Sequence, residues 1–115
     1  MIKRISPYEG LLHEVVEHND VLYIGGIVAE DTSLDMAGQA HDVLGQLSRL
    51  LAALGSDLSK VLQTTIFVTD LGEKPAFNTA WKSHFPEAHL PARATIGVAD
   101  LGRGVKLEMT AIATR

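Results

Sequence analysis

The run Val61-Leu62-Gln63-Thr64-Thr65-Ile66-Phe67-Val68-Thr69 constrains this chain more than any other segment. Its β-branched residues fit a pleated surface, and it reads as a strand apolar on both sides. Such a strand belongs inside a sheet with both faces covered, so the other segments must supply its neighbours and its cover.

The flanking segments fall into place around it. His13 to His18 and Val21 to Val28 read as two strands meeting at the turn signal Asn19-Asp20. Gly25-Gly26 within the second marks a bulge or a close approach of a ligand or backbone. Ser33 or Asp35 caps a helix running to about Leu54, where Ala40, Val43, Leu44, Leu47, Leu50, Leu51 and Leu54 form one apolar stripe and Gly55 is the stop. A second helix is expected from about Lys74 to Phe85, with Pro75 in its first turn and Phe77, Ala80 and Trp81 on one face. Two closing strands follow, about Arg93 to Val98 and Val105 to Ala113.

The order ββαβαββ indicates an α+β domain, a mixed sheet with both helices on one face. The chain of 115 residues fits one domain, residues 1–115. The other sheet face needs a cover, and another subunit is the economical one. Mean hydropathy of +0.13 with 21% charged residues is apolar for so small a chain and points the same way.

Against this frame Arg93 is anomalous. It sits in Pro91-Ala92-Arg93-Ala94-Thr95-Ile96-Gly97-Val98, otherwise a strand entering a core. Arginine is rarely buried unpaired, and its planar fork fits a carboxylate or phosphate. Glu108, in the next strand-like run, offers either a structural ion pair across adjacent strands or the acid of an anion-binding site.

Other chemistries lack their residues. There is no cysteine, so disulfides and thiolate metal sites are excluded. His13, His18, His41, His84 and His89 show no metal-ligand spacing, and no metal is expected. No serine elbow, P-loop or dinucleotide fingerprint occurs. A net charge of −4 and the lack of a basic-aromatic stripe argue against a nucleic-acid partner. Trp81 reads as a core or interface anchor. With neither a signal-like h-region nor a membrane-length apolar stretch, the expectation is a soluble cytoplasmic protein.

The stretch from Pro91-Ala92-Arg93-Ala94-Thr95 through Val105-Lys106-Leu107-Glu108-Met109-Thr110-Ala111-Ile112-Ala113 resembles the signature strands of the RidA/YjgF family of reactive-intermediate (enamine/imine) deaminases, formerly called L-PSP endoribonucleases. Leu50 to Ser56, Thr64 to Asp70 and Phe77 to Trp81 are similar to it as well, and the likeness runs from about Val15 to the end. It implies a chorismate-mutase-like fold, assembled as a homotrimer whose sheets form a central barrel with active sites at the subunit clefts. It also implies hydrolysis of 2-imino or 2-enamino acids to 2-keto acids and ammonia, without a cofactor, by a 2-iminobutanoate/2-iminopropanoate deaminase-like hydrolase.

In that reading Arg93 binds the substrate carboxylate and Glu108 positions water, with Gly26, Thr95 and Leu12 in the pocket. Leu12 falls where the family has a tyrosine, and Gly25-Gly26-Ile27 replaces Ser-Gly-Gln. Thr95 replaces a frequent cysteine and Thr110 a second glutamate, so the chain resembles a divergent subgroup. The competing readings are a non-enzymatic trimer that holds a keto acid or other small carboxylate, and an endoribonuclease.

Overall fold

A computed structural model describes residues 1–115. Its six strands form one mixed sheet in the order β1-β2-β3-β6-β4-β5, and two α-helices pack on one face. The strands are β1 (Lys3–Tyr8), β2 (Leu12–His18), β3 (Val21–Ile27), β4 (Val61–Val68), β5 (Ala92–Gly97) and β6 (Leu107–Thr114). The helices are α1 (Met36–Ala53) and α2 (Lys74–His84).

Local chemistry sets the boundaries. Asn19 and Asp20 both take positive φ (52° and 62°), the backbone of a two-residue hairpin turn that asparagine and aspartate tolerate without glycine. Asp35, not Ser33, caps α1, its carboxylate accepting from Gly38 N at 2.8 Å. At the other end Gly55 at φ 78° lets Gly55 N and Ser56 N donate to Ala52 O and Leu51 O, closing the helix. Pro75 opens α2.

β1 was not expected from the sequence, so three strands rather than two precede α1. It carries no burial period because it is an edge: only Ile5 is partly buried. Ser6 adopts φ 57° and Pro7 has no N–H to give, features that edge strands accommodate.

The core is one cluster of 21 buried apolar residues between the sheet and the helices. β4 lies inside the sheet, between antiparallel β6 and parallel β5. Thr64, Ile66 and Val68 of β4 and Leu107, Met109, Ala111 and Ala113 of β6 face the helices. Val16, Tyr23 and Ile112 lie in register across β2, β3 and β6, and each alternates with buried neighbours. With Phe67 and Ile96 they give the helix-free face an apolar surface.

Two polar staples fix the framework. The buried Glu17 accepts from Arg115 Nη2 at 2.6 Å, joining β2 to the end of β6 across β3, and that bond holds its carboxyl below the usual range. Fully buried Gln39 donates to the carbonyls of Thr32, Leu34 and Gly104 and accepts from Lys106 N, pinning the loop that precedes β6 to the start of α1.

Candidate functional site

β4, α2 and β5 form a parallel crossover unit that places α2 over Arg93. Arg93 stands beside Thr64 and Thr95 beside Ile66, both buried on the helix face. Arg93 Nε donates to Thr95 Oγ1 at 3.0 Å and Nη2 to Asn78 Oδ1 at 2.6 Å. Its Cζ lies 5.2 Å from the Phe77 ring centroid and 5.0 Å from that of Trp81. Trp81 is thus a core anchor, as expected, and also the floor of the guanidinium.

Every one of these contacts is neutral. The single ion pair in the chain joins Arg115 to Glu17. Burial pushes Arg93 below the usual arginine pKa, the direction for a cation desolvated without an anionic partner, and the group stays charged. A half-buried guanidinium is therefore held rigidly while part of its five-donor fork remains free.

Glu108 does not serve Arg93 within one chain. The sequence reading had their strands adjacent, but β4 lies between β5 and β6. Arg93 pairs with Thr64 and Glu108 with Phe67, an odd number of residues along β4, so the two side chains leave opposite faces. The structural ion pair is overturned by this geometry.

Glu108 lies instead beside Gly26. The β3–β6 register slips between Ile24 and Ile27, and Gly25-Gly26 forms that irregularity, as the glycine pair foretold. A Cβ added at Gly26 would stand 2.9 Å from Glu108 Cδ and would overlap Oε2. Glycine is what makes room for the carboxylate. Gly26 and Glu108 line a cleft of 650 Å³ shared with Leu12, His13, Glu14 and Tyr8. Leu12 lines this cleft, and directly across the hairpin Tyr8 brings a phenol into it. The sequence reading missed it with β1, although Pro7-Tyr8 was the available signal.

The structure thus places the sequence-derived residues in two separate groups. Arg93 and Thr95, joined by the unforeseen Asn78, lie under α2 near one sheet edge. Gly26, Leu12 and Glu108 lie in the cleft toward the other. No cluster of three or more His, Asp or Glu is arranged to hold a metal.

One histidine pair was missed. His41 Nδ1 on α1 and His84 Nε2 on α2 are 3.0 Å apart, and neither residue lines the cleft. Burial, then His41, lowers the pKa of His84 from 6.5. The folded state disfavours the proton, so the unfolded chain binds more protons from about pH 6.5 down to the lowered folded value. Stability should fall as pH drops through that window. Melting temperature between pH 7 and 5 should decline less steeply in His84→Gln than in the parent; equal slopes would reject the linkage.

A family model described as Endoribonuclease L-PSP matches residues 1–115. The chain is similar to protein DfrA of Myxococcus xanthus, 37% identical over 117 aligned residues covering 96% of this chain and 87% of that one. It is 32% identical over 117 residues to mouse 2-iminobutanoate/2-iminopropanoate deaminase, covering 96% of this chain and 83% of the other. The crystal structure of a YjgF-family protein from Neisseria meningitidis superposes with a TM-score of 0.92 at 28% identity, over 100% of this chain and 95% of that one.

Proposed function

The chain belongs to the Endoribonuclease L-PSP family, the RidA/YjgF proteins whose α+β fold it shares, and from that premise we propose that it hydrolyses reactive 2-imino and 2-enamino acids to 2-keto acids and ammonia. The observation that carries this reading is Arg93, a rigidly held, half-buried guanidinium with no carboxylate of its own. An α-carboxylate supplies the missing anion, in bidentate fashion.

The other half of the chemistry is an acid beside a cleft. Glu108 accepts a proton from water as the water adds to the carbon of the protonated imine, giving a neutral carbinolamine. That proton then passes to the amine nitrogen, the C–N bond breaks as the carbinol hydroxyl returns its proton to Glu108, and ketone and ammonia leave. The substrate is intrinsically electrophilic, so orientation and a placed base account for the catalysis without a cofactor.

Because Arg93 and Glu108 leave opposite faces of one sheet, we propose that one copy's Arg93 reaches the Glu108 cleft of a neighbour. The apolar helix-free face supports a closed assembly, and we propose the homotrimer implied by the family. No helix is long and apolar enough to cross a membrane, and a cytoplasmic setting is part of the proposal. The acidic net charge of −4 disfavours RNA as substrate.

The test generates imino acids in situ with an amino-acid oxidase and follows ammonia release. Acceleration by the purified protein is expected. No acceleration over a panel of imino acids, with a keto acid nevertheless raising the melting temperature, would replace the enzyme with a carboxylate-binding protein.

A further inference from the structure

We propose that the cleft beside Glu108 selects imino acids with large apolar side chains, branched aliphatic or aromatic, over the three- and four-carbon substrates in the mouse relative's name. This inference rests on the deaminase reading above. Its grounds are the size, lining and rigidity of the cleft.

The volume, 650 Å³, falls within the ~300–1,000 Å³ of pockets that take drug-sized ligands. A neighbour's Arg93 would take part of that space, and a three-carbon imino acid on it would leave the apolar lining beyond uncovered. The polar groups, Tyr8, His13, Glu14, Gln46 and Glu108, are accompanied by apolar Leu12, Ile27, Leu50 and Leu101. Once the carboxylate is on Arg93 and the imine carbon is at Glu108, the substrate's side chain is the part left to meet those walls.

The wall is built, not incidental. Leu50 comes from α1 and packs against the core. Leu101 is carried by the loop that Gln39 pins through Gly104 O and Lys106 N, and that Asp100 Oδ1 tightens by accepting from Gly102 N at 2.8 Å. Leu12 and Ile27 stand at positions where the sequence departs from the family pattern. Two of the departures therefore lie in the wall, while Arg93 and Glu108 are retained. A preformed apolar wall favours the substrate that buries more methylene groups.

The experiment compares kcat/KM for imino acids formed from alanine, leucine and phenylalanine, with the parent and with Leu101→Ala, an exposed-loop change that spares the core. The leucine- and phenylalanine-derived imines should be favoured at least tenfold over the alanine-derived one, and Leu101→Ala should shrink that ratio several-fold. Equal or better use of the alanine-derived imine would overturn the inference and leave the deaminase reading standing. A preference untouched by both Leu101→Ala and Leu12→Ala would also overturn it, since the wall would not be its origin. Hydrolysis of none of the three would remove the deaminase reading and the inference with it.

Discussion

Arg93→Ala should lower imine hydrolysis about a hundredfold or more while the protein remains folded. Two charge-assisted hydrogen bonds to a carboxylate contribute roughly 1.5–3 kcal/mol each, and each 1.36 kcal/mol is a factor of ten in rate. Asn78, Thr95, Phe77 and Trp81 give the guanidinium its position but no counter-charge, so its removal strands no acid in the interior. The cost to folding is the lost stacking, about 1 kcal/mol, together with the two hydrogen bonds to Thr95 and Asn78. Arg93→Lys keeps the charge and loses the fork, and its activity should fall between parent and alanine variant. Asn78→Ala should raise KM more than it lowers melting temperature, because it frees the guanidinium without removing it. Full activity in Arg93→Ala, measured by ammonia release, would remove the basis for the carboxylate clamp.

Gly26→Ala should be nearly as damaging to turnover and nearly silent in stability. The added methyl meets Glu108 at its carboxylate, the free end of a flexible side chain, so the side chain swings away before the backbone yields. Gly26 is not among the residues with positive φ, and alanine is compatible with its backbone. Displacing a catalytic group by about 1 Å costs on the order of a hundredfold. A thermal melt within a few degrees of the parent, with activity lost, is the expected pair of results. Gly25→Ala is the control: nothing lies closer than 3.5 Å to its added Cβ, and it should be mild. Parental activity in Gly26→Ala would mean that the Glu108 orientation is dispensable.

Much of this architecture was legible because burial writes a period into the sequence. The stripe of α1, the apolar run of β4 and the pair at Asn19-Asp20 each carry their own signal, and each leads to the observed element. β1 carries none, since an exposed edge strand with Ser6 at positive φ buries almost nothing. The site was half legible. Arg93 stood out because a permanent charge conflicts with its strand, and Gly26 because a glycine pair weakens one.

The relation between Arg93 and Glu108 was not legible. Neighbours in sequence order are not neighbours in the sheet once β4 inserts between β5 and β6. Asn78 gave no warning either, being one polar residue on a helix whose role depends on the crossover that sets α2 above β5. The contact of His41 with His84 depends likewise on helix packing, across 43 residues of sequence.

The proposed sharing of the site between subunits can be tested by mixing two chains that should each be inactive alone. Arg93→Ala and Glu108→Gln proteins are unfolded together, refolded as mixed oligomers and assayed for ammonia release. If one copy's Arg93 serves its neighbour's Glu108, an Arg93→Ala chain beside a Glu108→Gln chain rebuilds an intact site. Random mixing in a ring should then restore about a quarter of parental activity. Mixed oligomers of confirmed composition that stay as inactive as either parent would contradict a site divided between subunits.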